Sequence, residues 1–255
     1  MSAAYAMENK GMSAVAAVVI SLLIGTLFGI VQGYLVTYLE IQPFIVTLAG
    51  MFFGRGLTAV ISTDMIAIQN KTFLKWANYR INLPFGTYNR RGIFIPAYIY
   101  PTVIIALAVV ILITIMLKFT KFGRSLYAIG GNQQSAVMMG LNVKRTKMKA
   151  YVLDGFLAGL GGFLFCLNSC AGFVEQAKGL EMDAIASAVI GGTLLSGGVG
   201  TPFGTVFGVL IKGTISSLIT TQGTLSSWWV RIALSALLCF FIVLQSIIGS
   251  MKKKN

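Results

Sequence analysis

The chain has 255 residues, a net charge of +13, 56% hydrophobic residues and only 11% charged ones. A soluble domain carries about 25% charged residues, so this chain cannot cover its surface with charge and part of its solvent must be lipid. The positive balance does not indicate a nucleic-acid binder, because the basic residues lie between apolar spans instead of forming one face of a soluble fold.

The first predicted span runs over Met12–Leu39 without a charge and stops at Glu40 and Pro43. Before it, Met1–Gly11 lacks the basic n-region and short apolar core of a cleavable signal peptide. A second span, Phe44–Ile61, contains Arg55, whose long side chain is expected to reach the outer surface. The stretch Ser62–Arg91 is basic at Lys71, Lys75, Arg80, Arg90 and Arg91. Its Trp76, Tyr79, Phe85 and Tyr88 suit a segment at the membrane surface. A third span covers Ile93–Leu117, with Pro96 and Pro101 near its start, where first-turn amides lack helical partners anyway.

Lys118–Lys149 holds Lys118, Lys121, Arg124, Lys144, Arg145, Lys147 and Lys149 and no acid, which makes it cytoplasmic by the positive-inside rule. The fourth span is Tyr151–Val174, and Glu175, Lys178, Glu181 and Asp183 form a polar link after it. The fifth region, Ala184–Thr221, would span about 57 Å as one helix at 1.5 Å per residue, so it must fold back. The break falls at Ser196, Gly197, Gly198, Gly200, Thr201 and Pro202. Trp228–Gly249 is the last span, closed by Lys252–Lys254 in the cytoplasm. Counting the broken region twice predicts an all-α, polytopic transmembrane bundle of about seven crossings, with the N-terminus outside. Ser62–Arg91 then lies outside against its own charge: either its surface helix overrides a bias that is summed over loops, or the Arg55 segment does not fully cross.

No G-x-x-x-x-G-K-[ST] loop occurs, so P-loop hydrolysis of ATP is not expected of this chain. Without histidine, and with seven acids, acid–base catalysis has little support, and no cofactor or metal is expected. Cys166 and Cys170, four apart, read as small apolar residues on one helix face. Two blocks stand out. In the basic loop, Asn132 can cap a short helix over Gln133–Met139 that Gly140 ends, with Ala136, Val137 and Met139 as its apolar face. The second block runs from Leu180 through Asp183 to Thr193, and on through the glycine break to Gly204. Gly204 with Gly208, and Gly155 with Gly159, form small-xxx-small faces that serve helix packing. Asp183 is either interfacial or, if buried, a functional candidate.

Gly123–Lys147, Glu181–Thr193 with Ser196–Gly204, Ile41–Gly50 and the tail Gly223–Trp229 together resemble the permeases of ribose-, xylose- and galactofuranose-type ABC importers. The tail is most similar to a galactofuranose-type permease. The resemblance runs over nearly the whole chain and implies one permease domain over residues 1–255. It also implies a bacterial inner-membrane location and three partners: an ABC ATPase, a second permease subunit (identical or paralogous) and a periplasmic sugar-binding protein. The ATPase would meet the cytoplasmic loop at Gly131, Asn132, Ala136, Met139, Gly140 and Asn142. Phe44, Thr47, Arg55, Asp183 and Thr193 are the expected translocation path for a monosaccharide. The family's N-terminal helices, with an Asp-Leu-Ser-Val-Gly motif, are missing, so the chain reads as truncated. Gly25 and Gly29 are then expected to lack packing partners. Asp154 stands where a small polar residue is expected, and Met182 replaces a leucine. Within the same superfamily a nucleoside or branched-chain amino-acid permease is the alternative. An ion-coupled transporter would need titratable groups near mid-membrane.

Overall fold

The computed structural model describes residues 1–88, 94–222 and 227–254. Arg90, Arg91 and Ile93, and the tail motif's Gly223–Ser226, lie outside the described residues. The elements in order are α1 (Ser2–Glu8), α2 (Ala14–Thr37), α3 (Pro43–Ile61), β1 (Ile66–Ala67), α4 (Lys71–Asn78), β2 (Ile81–Tyr88), β3 (Phe94–Ile99) and α5 (Pro101–Phe119). They continue with α6 (Lys121–Gly131), α7 (Gln133–Met138), α8 (Val143–Ser169), β4 (Ala171–Gly172), α9 (Leu180–Ile190), α10 (Pro202–Gln222) and α11 (Ser227–Lys254). Among the described residues, five helices are long and apolar enough to cross a membrane: α2, α3, α5, α8 and α10. Their large apolar side chains are mostly exposed, α5 burying none, as expected of helices whose solvent is hydrocarbon.

The residues form two compact units. The first, Met1–Val109 with Lys144–Ala177, is built on the antiparallel contact of α2 and α8. A Cβ on Gly25 would collide with the Gly155 carbonyl, and one on Gly29 with that of Tyr151. The two glycines expected to be unpartnered are therefore locked against Tyr151, Gly155 and Gly159. One end of this unit has its own small core. Ala3, Ala4 and Met7 of α1, Ala14 and Ala17 of α2, Phe73 of α4, and Phe163, Cys166 and Leu167 of α8 pack together. Phe73 meets Phe163 edge-on at 6.1 Å. Glu8 accepts hydrogen bonds from the Gln69 and Asn70 amides at 2.8 and 3.1 Å, and β1 pairs antiparallel with β4 beside it. At the opposite end of α8, Lys144 pairs with Glu40 at 3.0 Å.

Two readings change here. The third helix begins at Pro101, because Phe94–Ile99 form a strand paired with β2. Pro96 fits that two-stranded ribbon, where every strand is an edge and a missing N–H costs little. The basic loop is largely helical, and Lys144, Arg145, Lys147 and Lys149 occupy the first turns of α8.

The second unit is Val110–Val143 with Lys178–Asn255. In it, α9 and α10 form a hairpin through the glycine-rich corner. α9 has 11 residues, which reach about 16 Å, roughly half the thickness of a hydrocarbon core. The region Ala184–Thr221 therefore contains a half-length helix, a turned segment and one full-length span.

Candidate functional site

The hairpin is held by small residues spaced four apart. A Cβ on Gly204 would collide with the Gly191 carbonyl, and one on Gly208 with that of Ser187. Because the two backbones touch, the next pair in the ladder is forced together. Lys212 Nζ lies 2.6 Å from Asp183 Oδ2. Lys212 is the eleventh of the 21 residues of α10, about 15 Å from either end. Asp183 is thus level with the middle of a membrane-spanning helix and not at a boundary. A lone lysine at that depth costs about 2.5–3.5 kcal/mol, a penalty the carboxylate offsets.

Beyond the glycine contact the helices part around a cavity of about 580 Å³. Asp183 and Met182 of α9, Lys212, Ser216 and Thr220 of α10, and Ser235 of α11 contribute to its wall. One face of α10 therefore reads Gly204, Gly208, Lys212, Ser216, Thr220: glycines where the helix packs, polar groups where it lines space. Sequence reasoning missed Lys212 by treating the fifth region as wholly apolar. The signal was a polar stripe at i, i+4 continuing a glycine stripe.

At the far side of the corner the same unit carries the first block, Asn132–Gly140. Asn132 Oδ1 accepts from the Ser135 amide at 3.0 Å, capping α7, and Gly140 terminates it at φ +77°, both as the spacing suggested. Ala136 is 0% exposed and packs with Ile129, Leu141 and Val143. It is the inner side of this segment, so it is not exposed for the docking role expected of it. Val137, Met138 and Met139 are the exposed apolar surface, and Asn142 is exposed in the turn that follows. Gly130 and Gly131 of α6 lie directly against Gly197 and Gly198 of the break, and a Cβ on Gly198 would stand 2.7 Å from the Gly131 Cα. Tyr127 donates to the Gly200 carbonyl at 2.7 Å. Thr193 sits inside the corner, its side chain against Gly200 and its amide donating to Ala188.

The remaining expected path residues, Phe44, Thr47 and Arg55, belong to α3 in the first unit. Phe44 is exposed, and Thr47 donates its hydroxyl to the Pro43 carbonyl at 3.0 Å within its own helix. The Asp183 and Thr193 pair thus shares a unit with α7, while these three lie in the other.

Apolar spanning helices, a half-length helix at a glycine corner and a mid-depth polar cavity define a multi-pass membrane permease component. The chain belongs to the family described as branched-chain amino acid transport system / permease component, whose model matches residues 1–243. It is 42% identical over 235 residues to the inner membrane ABC transporter permease protein YjfF of Escherichia coli (strain K12), covering 92% of this chain and 68% of that protein. It is 36% identical over 239 residues to the fructose import permease protein FruG of Bifidobacterium longum, covering 94% and 69%. It is 38% identical over 195 residues to the ribose import permease protein RbsC of Bacillus subtilis, covering 76% and 57%. No solved structure matches.

Proposed function

We propose that the chain, as one permease domain, is the membrane-spanning subunit of an ATP-driven importer that carries a monosaccharide handed over by an external binding protein. The relatives named for fructose and ribose import support the substrate class. The observation that carries the mechanism is the join between α7 and the glycine corner. The exposed Val137–Met139 surface offers an ATPase an apolar seat. Its other side is tied through Tyr127, Gly130 and Gly131 to the turn connecting α9 with α10. A push on α7 is then delivered to the helix pair that lines the polar cavity.

In this reading Lys118–Lys149 and the C-terminus face the cytoplasm, a second permease copy or paralogue completes the pathway, and ATP is hydrolysed only by the ATPase. This reading assigns sugar passage to Asp183 and Thr193 in the second unit and, separately, to Phe44, Thr47 and Arg55 of α3 in the first. The test is reconstitution with ATPase and binding-protein partners in proteoliposomes, measuring uptake of fructose, ribose and xylose. Uptake should require ATP and survive collapse of ion gradients. Loss of uptake on collapsing the gradient would instead favour a secondary transporter. The family's description favours a second reading, branched-chain amino-acid import; uptake of leucine and none of the sugars would establish it.

A further inference from the structure

We infer that the Asp183–Lys212 pair is a substrate station, where a neutral polyhydroxylated ligand rests halfway across the membrane. This rests on the proposed sugar-import function and adds the groups that hold the sugar.

Depth is the first argument. The pair lies level with the centre of α10 and in the first turn of a half-length helix. Transport folds build substrate sites near mid-membrane at such broken helices, because the helix start turns its amides toward the cavity. The second argument is exposure. A pair that served only to neutralise a lysine between packed helices would need no space of ligand size beside it. Here the side chains of Lys212 and Asp183 remain 22% and 42% exposed, and both line the 580 Å³ space. That volume falls within the roughly 300–1,000 Å³ of ligand pockets.

Chemistry sets the ligand class. An ammonium has three donors and a carboxylate two acceptor oxygens, so the pair keeps capacity after bonding to itself. A sugar hydroxyl can donate to Asp183 while a neighbouring oxygen accepts from Lys212, and the salt bridge stays intact. Ser216, Thr220 and Ser235 add hydroxyls around it. Thr220 directs its proton to the Ser216 carbonyl at 2.9 Å, leaving its oxygen as an acceptor. Lys178 also lines the cavity; a zwitterion could engage the Asp183–Lys212 pair only by separating it.

The test uses the complete transporter in membrane vesicles, with Cys166, Cys170 and Cys239 of this chain replaced by alanine. Ser216→Cys introduces a thiol in the cavity, and Ser217→Cys one residue away provides the control. Fructose, ribose or xylose, whichever the wild-type complex transports, should slow maleimide labelling at position 216 at least fivefold. Labelling at 217 should not change, and leucine should protect neither. In the Asp183→Asn/Lys212→Gln background, the sugar concentration giving half protection should rise at least tenfold. An unchanged half-protective concentration, or no protection by a sugar that is transported, would overturn the station. Protection by leucine would overturn the ligand class. Absence of sugar uptake by the wild type would overturn the functional reading on which the class depends, and is seen before any variant is made.

Discussion

Replacing Ala136 with Asp separates two roles for α7 that the sequence merged. Ala136 is 0% exposed and enclosed by Ile129, Leu141 and Val143, so a carboxylate there is buried without a partner. Uncompensated buried charge costs about 3–5 kcal/mol. Against this, the Asn132 cap contributes about 1 kcal/mol, and α7 has only six residues. The helix should therefore open, and a cost of about 3 kcal/mol corresponds to a more than hundredfold rise in opening. Hydrogen exchange over residues 133–141 reads this directly, because the amides of Ser135 and Ala136 bond to Asn132 and that of Leu141 to Ala136. Met138→Asp provides the contrast. Met138 is 86% exposed, so its replacement should move stability by less than about 0.5 kcal/mol and leave exchange unchanged. It should still abolish co-purification of the ATPase, by placing a charge in the apolar seat. Normal exchange in Ala136→Asp would refute the packing argument. Normal ATPase recovery with Met138→Asp would place the seat elsewhere.

Gly208→Leu should lower the thermal midpoint of the detergent-solubilised chain by several degrees, since overpacking costs about 1–3 kcal/mol and the new side chain meets the Ser187 carbonyl. Gly213→Ala, with nothing within 4 Å of its Cβ, should leave the midpoint unchanged in the same melt. Tyr127→Phe removes the bond to Gly200 and should destabilise by about 1 kcal/mol, slowing uptake at saturating sugar with little change in KM. Gly155→Leu should abolish recovery of monodisperse protein, because it separates α2 from α8; size-exclusion profiles check it. A thiol introduced at Ser135 should react with an impermeant maleimide only in inside-out vesicles, and labelling from outside intact cells would reverse the proposed topology.

What could be read from sequence was what depends on local chemistry. Hydropathy located α2, α3 and α10 to within a few residues but began α8 eight residues late and ended it five late, and the Asn132–Gly140 spacing gave both ends of α7, because a cap and a left-handed terminator act on their own helix. What could not be read depended on partners. Ala136 and Met139 look alike as apolar residues in a loop, and only Ile129 and Val143 closing over one of them makes it core. Lys212 was lost in an apolar average although its meaning comes from Asp183, 29 positions away and brought near by glycines. The β2–β3 ribbon escaped because its apolar residues run on into α5, so periodicity had no boundary to register.

The ladder between α9 and α10 also bears on how the chain enters the bilayer. Alone, α9 is too short to span, and α10 carries an ammonium at its centre, so neither helix makes a favourable independent passenger. Side by side, the short helix needs no lipid contact along its inner face, and the two charges enter as a neutral couple. The pair should therefore partition as a single hairpin, with α9 waiting at the edge of the insertion machinery until Lys212 emerges to meet Asp183. A variant lacking that carboxylate but keeping Lys212 would then be lost during biogenesis and show as a shortage of protein in the membrane, whereas one lacking both charges has no unpaired ammonium to insert.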